Sequence, residues 1–229
     1  MTASHRRLAL LAATACALPV SAGALAAPTS AATISVDKAC YVNTATGPAP
    51  LTVTGSGFDP GESVQIAGGT TVIDTTADAT GSLTATGSAP ELTTKAAGTR
   101  LTTLTATGFD PATGATTSAS TQALSANLAV STKPLSVPVN ELSKRKVTFT
   151  FSGFTPGKDI YGYYLRKRVV ATTRFGKATG PCGTLKQKAL LLPPGQSTTV
   201  RYGLVFESVA RYSKTAFPRV TALVQFLTL

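Results

Sequence analysis

Apolar and hydroxylated residues alternate along much of this chain, and two stretches of this kind nearly match each other. Leu51-Thr-Val-Thr-Gly-Ser-Gly-Phe-Asp-Pro-Gly61 corresponds to Val147-Thr-Phe-Thr-Phe-Ser-Gly-Phe-Thr-Pro-Gly157, at an offset of 96 residues. Alternation with a period of two predicts a strand with one buried face in each copy. The predicted buried positions are Leu51 and Val53 in the first copy, then Val147, Phe149 and Phe151 in the second.

Each copy of the repeat ends in a predicted turn. Asp59-Pro60-Gly61 and Thr155-Pro156-Gly157 put proline second and glycine third, which is the pattern of a type II turn. We expect the preceding aromatic residue, Phe58 or Phe154, to fold back and cover one end of the core. The following strands are predicted to begin at Val64 and Ile160.

The last strands of each copy are predicted as hairpins. In the first copy, residues 101–107 are expected to pair with residues 115–124 across a turn. In the second copy, residues 198–206 are expected to pair with residues 218–227. Tyr202, Leu204 and Phe206 would then lie opposite Val220, Ala222 and Val224.

The length of the repeat and the spacing of turn-forming residues predict the fold class. Gly, Pro, Ser and Thr interrupt the chain about every 8 to 12 residues, and no long segment after the N-terminus has helical periodicity. A repeat of about 96 residues is close to the size of one immunoglobulin-type sandwich. We therefore predict an all-β protein with two tandem immunoglobulin-like sandwich domains, residues 28–127 and 128–229. Residues 127–145 combine a short linker with the first strand of the second domain.

The N-terminus has the features of an export signal. His5, Arg6 and Arg7 precede an apolar run, and Ala24-Leu25-Ala26 has the small-x-small pattern of a cleavage site. We predict a signal peptide over residues 1–27 and a secreted mature chain. A retained N-terminal anchor and a lipid attached to Cys16 are the alternatives. No second apolar stretch predicts a transmembrane segment.

Composition excludes several kinds of chemistry. The only histidine, His5, belongs to the predicted signal, and there is no tryptophan. A mature chain without histidine cannot use a serine–histidine or cysteine–histidine nucleophile, nor a zinc site built on histidine. We therefore predict a protein that is not an enzyme, with no cofactor, no catalytic residue and no metal site.

Charge is distributed unevenly between the two predicted domains. Residues 28–127 carry three Lys/Arg and seven Asp/Glu, whereas residues 128–229 carry sixteen Lys/Arg and three Asp/Glu. A strongly basic exported domain can meet anionic polymers of the cell envelope. We expect an anionic cell-wall polymer or an extracellular protein as the partner, rather than nucleic acid. The sequence does not predict the oligomeric state.

The Ser-Gly-Phe-x-Pro-Gly repeat, together with Gly180-Pro-Cys-Gly-Thr-Leu185, resembles secreted actinobacterial proteins with tandem immunoglobulin-like domains. Those proteins are largely uncharacterised, so the resemblance implies a fold and a compartment, not an activity. The segment Thr76-Ala-Asp-Ala-Thr-Gly-Ser82 is loosely similar to a loop of neocarzinostatin-type sandwiches. The cysteines and the ligand cleft of that family have no counterpart in this chain, so its ligand binding is not carried over.

Two cysteines remain after removal of the predicted signal, Cys40 and Cys182. In an oxidising compartment an even number of cysteines favours a disulfide, which would here clamp the two domains together. Buried free thiols and an intermolecular bridge are the alternatives.

A basic surface is predicted on the second domain. Its candidate residues are Arg166, Lys167, Arg168, Arg174, Lys177, Lys186 and Lys188. Arg166-Lys167-Arg168 follows Tyr161-Gly-Tyr-Tyr164 and is expected at the tip of a hairpin. Basic residues interleaved with aromatic residues can bind phosphate-rich polymers. The alternative is a solvated hairpin whose tyrosines belong to the core.

The leading hypothesis is a non-catalytic extracellular binding or structural module. A spacer, adhesin or assembly protein that acts through sheet edges is the second hypothesis. The third is a polysaccharide-active enzyme that uses carboxylates alone. It would need two facing carboxyl groups, and the second domain has only Glu141, Asp159 and Glu207.

Overall fold

The computed structural model describes residues 31–111, 113–134, 137–142, 144–197 and 201–224. Over these residues the protein is all-β, with fifteen strands in four sheets and one short 3-10 helix, Val139–Glu141. The predicted signal peptide, residues 1–27, and Cys16 lie outside the described residues. The all-β prediction is confirmed.

The first half of the chain, residues 31–127, forms two sheets from eight strands. Their bounds are β1 Thr33–Val36, β2 Tyr41–Asn43, β3 Pro50–Ser56, β4 Ser63–Gly68, β5 Thr71–Thr76, β6 Leu83–Ser88, β7 Thr99–Phe109 and β8 Thr116–Asn127. A three-stranded sheet has the order β1-β3-β6, and a five-stranded sheet has the order β2-β8-β7-β4-β5. Neighbouring strands are antiparallel, except that β2 runs parallel to β8.

The hydrophobic core of the first half lies between these two sheets. Leu51 and Val53, the predicted buried positions of β3, are in this core together with Ile66 of β4 and Leu104 of β7. Phe58 is also buried there, and its amide donates to the carbonyl of Gly81 at 3.1 Å. The buried positions of β3 and β7 recur at every second residue, as the period-two pattern requires.

The second half, from residue 128, also forms two sheets. Its strands are β9 Ala129–Lys133, β10 Lys146–Ser152, β11 Asp159–Leu165, β12 Val169–Lys177, β13 Leu185–Leu190, β14 Tyr202–Glu207 and β15 Arg219–Val224. A three-stranded sheet has the order β13-β10-β9, and a four-stranded sheet has the order β12-β11-β14-β15. Every neighbouring pair is antiparallel.

Aromatic rings fill the core of the second half. Phe149 and Phe151 of β10 contact rings from the opposite sheet, with centroid distances of 4.8 Å between Phe149 and Phe175 and 5.4 Å between Phe151 and Phe206. Each such edge-on pair adds about 0.5–1.5 kcal/mol beyond the burial of its surface. Phe154, at the end of the repeat motif, is buried in the same cluster.

Both predicted turns of the repeat are present. Gly61 and Gly157 have φ values of 79° and 76°, the positive values that the third position of the turn requires. In each turn the fourth residue donates its amide to the first residue's carbonyl, at 3.0 Å in the first copy and 3.2 Å in the second. The same glycines also donate to the carbonyls of Ala77 and Ala178. The two copies therefore share hydrogen bonds to residues outside the matching sequence segments.

The predicted hairpins are confirmed within the described residues. β7 pairs with β8, and β14 pairs with β15 in a register that sets Tyr202, Leu204 and Phe206 opposite Val224, Ala222 and Val220. Residues 198–200 and 225–227 of the predicted pair lie outside the described residues. β9 begins at Ala129, so Leu128 alone separates it from β8.

Candidate functional site

A disulfide joins the two halves of the chain. Cys40 and Cys182 are bonded, with Cα atoms 5.3 Å apart and a sequence separation of 142. Cys40 lies directly before β2, and Cys182 lies in the connection between β12 and β13. The predicted intramolecular bridge is confirmed.

The residues around Cys40 hold it in place. The neighbouring Tyr41 is fully buried in the first core, and its hydroxyl donates to Asp37 Oδ1 at 2.7 Å. The same carboxylate oxygen accepts from the amide of Thr52 at 2.8 Å. The bond from Thr52, followed by that from Tyr41, lowers the pKa of Asp37. Cys40 therefore sits on a segment that is anchored to the first core at both ends.

Hydrogen bonds connect the halves beside the disulfide. Ser152 Oγ donates to the carbonyl of Asn127 at 2.6 Å and accepts from the amide of Gly98 at 2.9 Å. The amide of Ala97 donates to Ser131 Oγ at 2.8 Å. Each of these bonds joins a residue of the first half to a residue of the second.

Close backbone packing completes this contact, which we call the joint. Gly153 follows Ser152 in the repeat motif and has a φ of 78°. A Cβ atom there would lie 2.7 Å from Leu128 Cα and 2.8 Å from Val42 Cγ1. Only glycine fits this position, both sterically and conformationally. The joint therefore combines a covalent bond, polar contacts and a connection of one residue.

The seven predicted basic residues do not share one surface. Arg166, Lys167 and Arg168 are exposed at the tip between β11 and β12, as predicted. Arg174 faces outward from the four-stranded sheet, where its guanidinium donates to Asp159 at 3.0 Å. Lys177 is exposed at the end of β12, opposite Asp159 in the register.

Lys186 and Lys188 belong to the other sheet of the second half. On β13 they lie opposite Thr150 and Thr148 of β10, away from the buried Val147, Phe149 and Phe151. The sheet brings two further lysines to this outer side. Lys133 of β9 is the other neighbour of Thr148, and Lys146 is two residues from Thr148 on β10.

We call Lys133, Lys146, Lys186 and Lys188 the lysine face. All four side chains are exposed, and no Asp or Glu belongs to β9, β10 or β13. Since neighbouring strands are about 4.8 Å apart, Lys133 and Lys188 are anchored about 10 Å from each other across Thr148. This spacing concentrates positive charge around Thr148 and Thr150, whose side chains are uncharged.

Sequence reasoning missed two residues of the lysine face. Lys146 could have been found, because it directly precedes the predicted inward position Val147 and so must point outward. Lys133 could not, because its position depends on the pairing of β9 with β10. Nothing in the local sequence around Lys133 encodes that register.

Two of the three tyrosines before the basic hairpin are buried, and the third, Tyr161, is half-buried. Tyr164 is in the second core, where burial raises its pKa to about 12. Tyr163 points to the opposite side, but residues of the β14–β15 connection cover it. Its hydroxyl donates to the carbonyl of Val209 at 2.5 Å, and its ring centroid is 5.6 Å from that of Tyr212. Neither ring is available for stacking against an external polymer.

The three carboxylates of the second half each have an arginine partner. Glu141 pairs with Arg145 at 3.1 Å, Asp159 with Arg174 at 3.0 Å, and Glu207 with Arg219 at 3.7 Å. Because these partners neutralise the few acidic groups, the remaining basic residues determine the charge of this half. Among the described residues, no three His, Cys, Asp or Glu side chains are grouped so that they could hold a metal ion. The described part of the chain also has no helix long and apolar enough to cross a membrane.

Comparison with known proteins finds no matching family and no matching curated protein. Among solved structures, a 1.5-MDa bacterial ice-binding adhesin is 15% identical with a TM-score of 0.32, over 85% of this chain and 63% of that one. A Ca2+-stabilised, ice-binding adhesin of an Antarctic bacterium is 16% identical with a TM-score of 0.32, over 85% and 48%. The YadV chaperone is 10% identical with a TM-score of 0.26, over 83% and 99%.

The chain thus spans less than two thirds of the length of either adhesin structure. TM-scores this low do not establish a shared fold.

Proposed function

We propose that this protein is a secreted, non-catalytic module that binds an anionic polymer of the cell envelope through its lysine face. The main support for this proposal is that four exposed lysines lie on the outer surface of one sheet. The three strands of that sheet contain no Asp or Glu. Like charges at this spacing repel one another. A polyanion relieves that repulsion and releases its own counterions on binding.

We further propose that the two halves are immunoglobulin-like sandwich domains, residues 28–127 and 128–229, of the kind found in secreted actinobacterial proteins. Two observations support this division. Each half has its own hydrophobic core, enclosed by a three-stranded sheet and a larger sheet. The strand that carries each repeat copy, β3 or β10, is the central strand of its three-stranded sheet.

The disulfide supports the proposed compartment. A bridge between residues 142 positions apart persists in an oxidising environment, such as that outside the cytoplasm. The predicted signal peptide over residues 1–27 agrees with this location.

The binding proposal is tested on purified cell wall and on long-chain polyphosphate, a defined polyanion, across a salt series. We expect retention of the unaltered protein at low salt, with an affinity that falls steeply as salt rises. Replacing all four lysines of the lysine face by glutamine should weaken binding. It should also reduce the slope of log K against log[salt], by up to about 0.7–0.9 for each lost phosphate contact.

A matched control removes the same number of charges elsewhere. It replaces Arg166, Lys167, Arg168 and Lys177 by glutamine, at the hairpin tip and at the end of β12. We expect this variant to retain most of the affinity and most of the salt slope. Equal losses in the two variants would mean that net charge alone, not the lysine face, governs binding. Absence of retention at low salt would refute the proposal.

A further inference from the structure

The outer side of the five-stranded sheet in the first half is nearly free of charge. We call the outward-facing residues of β4, β5, β7 and β8 the hydroxyl face. Its central rows consist of Thr103, Thr105 and Thr107 on β7, then Thr116, Ser118 and Ser120 on β8. Within these strands Asp74 is the one charged side chain that faces outward. Charged residues make up 14% of this chain, against about a quarter in an average domain, and this surface is more neutral still.

One end of the hydroxyl face holds a groove. Its volume is about 540 Å3, and its lining includes Ser63, Gln65, Asp74, Thr76, Thr107 and Phe109. These residues come from three adjacent strands, and their side chains alternate with the buried positions of the first core. The groove is therefore formed by strands that are fixed by the core, not by loops.

Two features of this groove are characteristic of ligand recognition. Phe109 is 51% exposed, although phenylalanine is among the residues most often buried. Beside it, Gln65 Nε2 donates to Asp74 Oδ1 at 2.9 Å, which orients an amide and a carboxylate together. The groove therefore combines one exposed aromatic ring with polar groups that are held in fixed positions.

We propose that this groove binds a neutral saccharide chain. The ring of Phe109 offers an apolar surface to the C–H face of a sugar ring. Gln65 and Asp74 can together donate to and accept from neighbouring sugar hydroxyls, and the surrounding threonines can extend these contacts.

The charge of the face selects this ligand class. A polyanion would meet the carboxylate of Asp74, and no cation faces outward on these four strands to attract it. Arg100, the one basic residue of β7, lies at an inward position of the strand, in line with the buried Thr102 and Leu104. A second protein copy would need a contiguous apolar patch. Instead, the exposed apolar residues Val72, Leu101 and Phe109 lie in separate rows of the sheet. An uncharged ligand rich in hydroxyl groups complements the hydroxyl face and its exposed phenylalanine.

The test is affinity electrophoresis of the full chain toward the cathode, in gels that contain mannan, arabinogalactan or a β-glucan. We expect one or more of these neutral polysaccharides to retard the protein. Phe109→Ala should weaken the interaction about tenfold or more, whereas Phe109→Tyr should preserve it. Gln65→Ala should weaken it as well, because the oriented pair with Asp74 is lost.

Leu101→Ala is the matched control, because Leu101 lies on the same strand and the same face and is 56% exposed. Eight residues separate it from Phe109, which is about 26 Å along a strand. We expect this variant to bind as the unaltered protein does. Lack of retardation by all three polysaccharides, or equal weakening by Leu101→Ala and Phe109→Ala, would overturn the proposal.

The outcome is independent of the proposed function. Neutralising the lysine face should leave retardation by neutral polysaccharides unchanged, since those ligands carry no charge. Conversely, Phe109→Ala should leave retention on polyphosphate unchanged. Either proposal can therefore fail while the other stands.

Discussion

Ser152 and Asn127 meet where the two halves of the chain join, and the Ser152 hydroxyl donates to the Asn127 carbonyl at 2.6 Å. Both residues are buried, and the same hydroxyl also accepts from the amide of Gly98 at 2.9 Å. One side chain of the second half thereby satisfies two backbone groups of the first half. A backbone group that loses its partner in a buried position costs about 1–3 kcal/mol.

Ser152→Ala should therefore reduce the free energy of unfolding by about 1–3 kcal/mol. It should also speed hydrogen exchange of the Gly98 amide, because that donor loses its acceptor. Urea denaturation and amide exchange measured by NMR provide the two readouts. Thr150→Ala, on the outward side of the same strand, is the control and should cost less than about 0.5 kcal/mol. Equal costs for the two variants would show that the joint does not depend on Ser152.

Removing the disulfide should destabilise the protein without separating its halves. Closing a loop of 142 residues constrains the unfolded chain, which is worth up to about 5 kcal/mol in the chain-entropy model. We expect Cys40→Ala with Cys182→Ala to lower the denaturation midpoint. The hydrogen bonds of the joint should keep the radius of gyration in small-angle scattering unchanged. A large increase in that radius would mean that the disulfide alone holds the halves together.

Gly183 is predicted to tolerate no side chain. A Cβ atom at Gly183 would overlap the carbonyl oxygen of Phe154, and its φ of 55° also disfavours other residues. Gly180 lies in the same connection with a φ of 67°, yet nothing lies within 4 Å of a Cβ placed there. Gly180→Ala should cost about 1–2 kcal/mol from backbone strain alone. Gly183→Ala should cost clearly more in thermal denaturation, and similar losses for the two variants would contradict the overlap.

Gly81 is the counterpart of Gly183 in the first half. A Cβ atom at Gly81 would overlap the carbonyl oxygen of Phe58, the other repeat phenylalanine. In both halves the phenylalanine amide donates to the glycine carbonyl, at 3.1 Å in the first and 3.3 Å in the second. We expect Gly81→Ala to destabilise the protein as strongly as Gly183→Ala, measured in the same experiment.

Asp37 should make stability depend on pH in the acid range. Hydrogen bonds from Thr52 and Tyr41 lower its pKa in the folded protein, below the usual value of about 3.9. The stabilisation is therefore complete above about pH 5 and is lost as the pH falls through the lowered pKa. Because Asp37 is exposed and solvent screens its charge, Asp37→Asn should cost no more than about 0.5–1 kcal/mol at neutral pH. In urea unfolding, the difference from the unaltered protein should shrink as the pH falls through the lowered pKa, and a difference that does not change with pH would exclude this role.

The strand pattern of this protein could be read from its sequence because alternation reports directly which side of a strand is buried. Leu51, Val53, Val147, Phe149 and Phe151 are all buried, as period two predicts. The pairing of Tyr202–Phe206 with Val220–Val224 was also predictable, because both segments alternate with the same period and follow each other along the chain. The two turns were predictable as well, because proline fixes its own φ angle and glycine accepts the positive φ that the next position requires.

The candidate surfaces were less predictable, because they depend on pairing between distant strands. Arg174 and Lys186 are near in sequence but belong to different sheets, whereas Lys133 and Lys188 are far apart and flank Thr148. The groove at Phe109 likewise needs β4 to lie between β5 and β7, a strand order that local sequence does not specify. The joint was foreseen only through its cysteines, since Ser152 and Gly153 read simply as part of a strand end.

The single residue between β8 and β9 has a consequence for how this molecule would meet a composite surface. The joint restricts how far the lysine face and the hydroxyl face can move relative to each other, so the two faces would not search for targets independently. A surface that presents anionic and neutral polymer in the matching arrangement would therefore engage both faces with little additional entropic cost. Where the same two polymers are arranged differently, the protein would bind with only one face. Its affinity would therefore depend on how the two polymers are arranged on the target surface.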